Sequence, residues 1–239
     1  MRKEEKIKLE KPAIYVVATP IGNIDDITLR AIKVLRSVDI VFCEGRKQGS
    51  RLLNHYDIEQ GLIEVNEHTE NELSQSLVYR IISENLSVAL ISDAGTPLFA
   101  DPGKKLVSLA YQRGVRIIPV PGASSIMAAL MSSGITSKSF IYYGFLSANR
   151  HTRENEIKRL PSDQDIIILE APYRLKQVIG DLRKHLGSKR RAVIAWKLTY
   201  PDEEIIETDL QKLVEIAEHK GKGEFVIILR GRYKRWASN

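Results

Sequence analysis

The chain has 239 residues, with 36 Lys and Arg against 30 Asp and Glu, a formal charge of +6, and 43% hydrophobic and 28% charged residues. This composition excludes disorder, collagen and coiled coil, and the length suits one large domain or two modest ones. No apolar run nears the ~18 residues of a membrane span, the charged start MRKEEKIKLEK has no apolar centre of a secretory signal, and a single cysteine, Cys43, excludes a disulfide framework. A cytoplasmic protein with no membrane partner is the expectation.

The charge is unevenly placed. Residues 1–135 hold 16 basic and 16 acidic side chains, whereas residues 136–239 hold 20 and 14. Local clusters stand at Arg183, Lys184, Lys189, Arg190 and Arg191 and at Arg230, Arg232, Lys234 and Arg235. Such asymmetry fits either a polyanionic partner engaged by one half or a solvated basic helix end with a basic tail.

In chain order, short apolar runs predict strands at 14–18, 38–43, 62–65, 88–91 and 115–120, with helical patterns around 27–36, 69–84, 103–112 and 123–131. Unbroken Val/Ile runs separated by helices are what a parallel sheet covered on both faces requires. Asp26 or Thr28, and Thr69 or Asn71, are candidate helix caps. The stretch MSSGITSK (131–138) reads as a linker. Beyond it, strands are expected at 139–145, 165–170, 191–198, 203–208 and 223–230, with helices at 172–186 and 209–219 and a shorter one near 151–159. Strands that follow one another without a helix around Tyr200 and Pro201 imply a mixed sheet. The division expected is a charged extension 1–12, an α/β lobe 13–135, a second α/β lobe 136–231 and a basic tail 232–239.

Several chemistries are absent from the text. There is no P-loop, no dinucleotide-binding glycine fingerprint and no nucleophile elbow. The five histidines lie far apart and one cysteine completes no zinc site, so no catalytic metal is expected. What remains is a set of loops directly after predicted strands, which in an open α/β sheet converge on the ligand crevice. In ATPIGNIDDIT (18–28), Pro20 and Gly22 make either a plain βα turn or a loop that offers backbone N–H groups to a ligand. ISDAGTPLFADPG (91–103) packs two aspartates, two prolines and two glycines into one connection; Gly95 permits close backbone approach, and Asp93 can accept hydrogen bonds from a ligand amine or hydroxyl. In PVPGASSIMAAL (119–130), Ser124 or Ser125 caps the next helix or faces the crevice. ILEAPYRL (168–175) delivers Glu170 into a loop before Arg174, and IAWKLT (194–199) ends the next strand.

TPIGN, SDAGTP…DPG, PGASS, GFL (144–146), the Glu-x-Pro-x-Arg-Leu segment and the Leu-Thr after IAWK, in this order, resemble the tetrapyrrole-methylase fold group from about Ile14 to Leu229. Within it they are most similar to the bacterial branch that methylates a cytidine ribose 2′-hydroxyl in 16S ribosomal RNA. The resemblance implies a two-lobed fold with a mostly parallel N-terminal sheet and a mixed C-terminal one. It also implies a cytoplasmic homodimer, no metal, and S-adenosylmethionine held between the lobes. Carried over by position, cofactor contacts come from Pro20, Gly22, Ser92, Asp93, Ala94, Gly95, Ser124 and Ser125, and from Ala171, Pro172, Trp196, Lys197 and Leu198 around the adenine. Where the RNA-modifying relatives read Glu-Asp-Thr-Arg-His, this chain reads Glu44-Gly45-Arg46-Lys47-Gln48, and the proline after GFL is Ser147. On the resemblance, these departures sit on substrate-facing positions more than on cofactor-facing ones.

On this reading Glu44 is the candidate general base for the 2′-hydroxyl, or otherwise a capping or salt-bridging acid. Arg46, Lys47, Arg51 and Arg174 are candidate contacts to the RNA of the small ribosomal subunit. The rivals are methylation of a small tetrapyrrole precursor, whose carboxylates also suit basic residues, and a non-catalytic RNA-binding relative.

Overall fold

A sheet whose strands are apolar on both faces must be covered on both sides, and the first half of the chain is built that way. The computed structural model describes residues 6–99, 101–135 and 138–232. Strands β1 (Ala13–Val17), β2 (Ile40–Cys43), β3 (Leu62–Glu64), β4 (Ser87–Ile91) and β5 (Arg116–Val120) form a parallel sheet in the order β3-β2-β4-β1-β5. Alternation along the strands divides the core. Ala13, Tyr15, Val17, Val41, Cys43, Ala89 and Ile91 face α1 (Leu29–Ser37) and α2 (Arg46–His55). Ile14, Phe42, Val88 and Leu90 face α3 (Glu70–Ser83) and α4 (Lys104–Gln112). Burying these side chains contributes ~25 cal/mol per Å² of apolar surface removed from water.

The boundaries follow local chemistry. Thr28 caps α1, its hydroxyl accepting from the Ala31 N–H at 3.1 Å. Thr69 precedes α3 without a side-chain cap bond; its hydroxyl instead accepts from the Asn66 N–H at 3.1 Å. The helix α2, absent from the elements predicted above, forms because Gly49 lets it lie close under the sheet. A Cβ there would stand 3.1 Å from Cys43 Cβ and 3.4 Å from Leu62 Cδ2.

The second sheet runs β6-β7-β10-β8-β9, from β6 (Phe140–Phe145), β7 (Asp165–Glu170), β8 (Arg191–Trp196), β9 (Glu204–Asp209) and β10 (Phe225–Leu229). Only β6 and β7 are parallel; the other pairs are antiparallel, as the missing crossover helix requires. One face, with Ile166, Ile168, Ala192, Ile194, Ile227 and Leu229, packs on α6 (Arg150–Lys158), α7 (Leu175–Leu186) and α8 (Leu210–His219). The helix α5 (Ser125–Ser132) lies against β10.

The chain divides into two compact units, Met1–Ser124 and Ser125–Asn239. The break precedes α5, so that helix goes with the second sheet, although its position in the sequence places it before the linker read at 131–138. Residues 1–5 of the charged extension and 233–239 of the basic tail lie outside the described residues, as do 136–137 of that linker. Among the described residues no helix is long and apolar enough to cross a membrane.

Candidate active site

In the first sheet β1 connects leftward to β2 and β4 connects rightward to β5, with α1 and α4 on opposite faces. The neighbours β1 and β4 therefore flank the point where the winding reverses, and a crevice opens at their carboxyl ends. The loops from those ends are stitched together. Thr19 donates its N–H to the Gly95 carbonyl at 2.9 Å, and Gly95 returns its own to Thr19 at 3.1 Å. The buried Thr19 hydroxyl donates to the Ser92 carbonyl at 3.2 Å, and the buried Ser92 hydroxyl to the Gly95 carbonyl at 3.3 Å. Thr96 Oγ1 donates to the Ala123 carbonyl at 3.1 Å, tying in the loop after β5.

The loop after β2 joins the same assembly through Glu44 and Gly45. Gly45 donates its N–H to Asp93 Oδ1 at 2.9 Å, while Asp93 donates its N–H to Glu44 Oε2 at 3.3 Å. A Cβ on Gly45 would stand 2.8 Å from Asp93 Oδ1. The glycine at this position is what lets the Asp93 carboxylate lean onto the backbone. Four strand-end loops, after β1, β2, β4 and β5, thus meet in one hydrogen-bonded surface.

That surface is electronegative. Burial pushes the Glu44 carboxyl above the ordinary glutamate range, and the charge of Asp101 adds to this, partly opposed by the bond from Asp93. Partial burial raises Asp93, against the Gly45 bond. Burial raises Asp101 as well, against a bond from Ser92 and with the charge of Asp93. A hollow of about 410 Å³ beside them is lined by Glu44, Asn66, Glu67, His68, Glu70, Asp101 and Pro102. Carboxyl groups crowded this way hold protons more tightly than isolated ones and suit a cationic ligand. Among the described residues no group of three His, Cys, Asp or Glu has the arrangement to hold a metal.

The other sequence-predicted residues divide by location. Pro20 and Gly22 are half-buried in the loop after β1, Ala94 is exposed beside Asp93, Ser124 directly precedes α5 and Ser125 is its first residue. Arg46, Lys47 and Arg51 are exposed on α2, the first two at its start, where a helix disfavours cations unless anions lie near.

In the second unit, Arg174 is 9% exposed and enclosed. It pairs with Glu170 at 3.2 Å and donates to the Leu146 and Ser147 carbonyls at 3.1 and 3.0 Å. Burial raises the Glu170 carboxyl while the Arg174 charge opposes it. Arg153, which the sequence pattern did not single out, is fully buried and donates to the Ser147 and Ala148 carbonyls at 3.0 and 2.9 Å and to Asp181 at 2.8 Å. Two arginines thus clamp the loop after β6, and the half-buried Ala171 and Pro172 follow β7 directly.

Trp196 is core, stacked on Phe225 with ring centroids 6.2 Å apart and with the Lys220 ammonium 5.2 Å from its ring. Lys197 turns the chain at φ +47° and pairs with Asp202 at 2.6 Å, and Leu198 is buried. This turn ends β8 at Trp196, two residues before the apolar text runs out. Thr19 and Asp101 lie in loops the sequence reading quoted, without a role being given to either. Their signal was position alone, one immediately before the first loop's proline and one at the far end of the second loop.

Comparison with known proteins bears on this site. Residues 13–214 match the family described as Tetrapyrrole (Corrin/Porphyrin) Methylases. Ribosomal RNA small subunit methyltransferase I of Halalkalibacterium halodurans is 38% identical over 224 residues, covering 93% of this chain and 77% of that protein. The protein of the same name from Mesorhizobium japonicum is 41% identical over 222 residues, covering 91% and 74%. Among solved structures, the cobalt precorrin-4 methyltransferase of cobalamin biosynthesis superposes with a TM-score of 0.67 at 19% identity, covering 92% of this chain and 95% of that one. Uroporphyrin-III C-methyltransferase from Thermus thermophilus, complexed with S-adenosylhomocysteine, superposes at 0.62 with 17% identity, covering 91% and 97%. At that identity the likeness is one of fold.

Proposed function

This chain belongs to the tetrapyrrole (corrin/porphyrin) methylase family and is a methyltransferase; from that premise we propose that it methylates a ribose 2′-hydroxyl of a cytidine in 16S ribosomal RNA, using S-adenosylmethionine, as a cytoplasmic homodimer. The observation that carries the reading is the meeting of Glu44, Asp93 and Asp101 on the stitched loops where the winding of the first sheet reverses. The relatives' shared name supplies the substrate class.

The residues present fit the methyl donor. It carries a sulfonium and an ammonium, and the surface it would meet offers carboxylates together with the backbone of Ser92, Asp93, Ala94 and Gly95 and of the Pro20–Gly22 turn. When bound, the donor supplies a methyl group activated by its attachment to positive sulfur. The chain does the rest. Asp93, fixed by the Gly45 N–H, holds a cationic or hydroxyl group of the donor. Ser124, directly after the Ala123 that Thr96 ties in, closes the same side. Holding nucleophile, carbon and leaving sulfur in line removes up to ~7–11 kcal/mol of entropic barrier.

Glu44 accepts the proton of the 2′-hydroxyl as the oxygen–carbon bond forms and the carbon–sulfur bond breaks, a contribution of roughly 10²–10⁴-fold. Its raised affinity for a proton suits that step better than an ordinary surface glutamate would. Arg46, Lys47 and Arg51, projecting from α2 directly after Glu44, hold phosphates next to the target nucleotide.

The test uses small ribosomal subunits from cells lacking this protein, incubated with purified chain and S-adenosylmethionine and digested for mass spectrometry of nucleosides. Appearance of 2′-O-methylcytidine is the expected result. Methylation of a tetrapyrrole precursor with none on RNA, or binding of RNA with no transfer, overturns the reading.

A further inference from the structure

Antiparallel β8 and β10 set Ala192 opposite Leu229. The next residues outward are both arginine: the Arg230 N–H donates to the Arg191 carbonyl at 2.9 Å. Like charges facing each other across a strand pair oppose folding. Here the conflict is compounded, because Lys189 and Arg190 precede the one and Gly231 and Arg232 follow the other. Together they line a hollow of about 440 Å³ in the second unit, with Glu207 as its one lining carboxylate.

The frame of the hollow is hydrogen-bonded. Arg190 is 4% exposed and donates to the Ser162 carbonyl at 2.8 Å, and the Arg232 N–H reaches the same oxygen at 2.7 Å. Two ion pairs reach into the cluster: Arg191 stands 3.4 Å from Glu207, and Arg230 3.8 Å from buried Asp165. Five cationic side chains therefore line the hollow beside a single lining carboxylate.

We propose that this hollow binds the phosphodiester backbone of the RNA substrate. Four of its five cations are arginines, whose planar forks match phosphate oxygens in pairs. Its volume is that of a small-ligand site, roomy for a phosphodiester and its flanking riboses. Its lining is charged throughout, apart from Gly231, so it has no apolar or aromatic anchor of the kind that grips a protein partner. The assignment of RNA as the polyanion rests on the function proposed above; the anion chemistry of the hollow does not.

The experiment measures binding of the full chain to a fluorescein-labelled single-stranded fragment of 16S ribosomal RNA across a salt series, beside calorimetry with S-adenosylmethionine. Arg191→Gln with Arg230→Gln is expected to weaken RNA binding about tenfold and to reduce the slope of log K against log salt by ~1.4, with donor affinity unchanged. Glu207→Gln removes the opposing carboxylate and is expected to tighten RNA binding, a gain that a purely structural role would not produce. Lys189→Gln with Arg232→Gln repeats the loss on exposed side chains, so the result does not hang on one pair. RNA affinity and salt slope unchanged in all three variants overturn the proposal while leaving the methyl-transfer reading intact. Weakened RNA binding in the arginine variants of a chain that methylates no RNA overturns that reading and upholds the hollow. Inorganic phosphate binding that the arginine variants abolish by calorimetry, while RNA affinity ignores those variants, assigns the hollow to free phosphate and also overturns it.

Discussion

Replacing Gly95 by alanine tests whether the stitched loops are held as the structure has them. Gly95 sits at φ +81°, and a Cβ there would stand 3.1 Å from Ile21 Cγ2. The left-handed conformation costs an alanine about 1–2 kcal/mol, and the tight contact adds about 1 kcal/mol of overpacking. The lower entropy of the unfolded alanine chain returns ~0.4–1 kcal/mol. The net loss expected is therefore about 1–3 kcal/mol. Gly114 is the matched control, because at φ +77° it has nothing within 4 Å of a built Cβ. Gly114→Ala bears the conformational term alone and should lose about 0–1.6 kcal/mol net, roughly 1 kcal/mol less than Gly95→Ala. Urea unfolding gives both numbers, and calorimetry with S-adenosylmethionine shows whether only the Gly95 variant loses donor affinity. Equal stabilities for the two variants, or donor binding unaffected by Gly95→Ala, would refute both the contact and the role given to the loop.

Glu44→Gln should keep donor binding and lose roughly 10²–10⁴-fold in methyl transfer, and the acid limb of the wild-type rate profile should lie above the ordinary glutamate range, because burial and Asp101 raise that carboxyl. Since Glu44 is raised in the folded state, its contribution to stability is present at acid pH and is lost as pH rises through its folded value. The glutamine variant should accordingly unfold at higher urea than wild type at neutral pH and at the same urea below about pH 4; a neutral-pH loss of stability contradicts the sign. Arg153→Met should cost about 3–5 kcal/mol by leaving Asp181 and two carbonyls without their buried partner, and a loss under ~1 kcal/mol by urea unfolding shows the clamp to be dispensable. The Cys43 thiol, pushed up to about 11 chiefly by burial, with Glu64 and Asp93 adding, should react with a thiol reagent at pH 8 roughly a hundredfold slower folded than in urea; comparable rates refute its enclosure.

Legibility followed sequence distance. The strands of both sheets were readable because β-rich apolar runs bounded by Gly, Pro and Asp have one economical solution, and the missing crossover helices gave away the mixed second sheet. Helix α2 was not readable. In RKQGSRLLNH only Leu52, Leu53 and Gly49 are buried, and the helix is secured by Gly49 fitting against Cys43 and Leu62, a tertiary fact with no local signal. Placing α5 with the second unit was equally hidden, because its partner β10 lies almost a hundred residues on. Arg153 in RHTRENEIK reads as one more solvated charge, and nothing local marks it as the arginine that goes inside.

The same limit explains why the candidate site was legible as a place and not as a mechanism. A parallel sheet brings the loops after its strands to one edge, so listing those loops suffices to find the crevice. The exchange between Glu44 and Asp93 joins residues 49 apart, and its electrostatic consequence depends on how near Asp101 comes. Self-repelling carboxyls in one unit and self-repelling guanidinium groups in the other each cost the folded chain stability, and in each case the cost is relieved by a ligand of opposite sign. On the functions proposed above, a cationic methyl donor answers the first and a phosphodiester answers the second. A transferase that must hold both partners of its reaction has reason to retain both clusters, and the charge asymmetry of the sequence is the outward trace of that division.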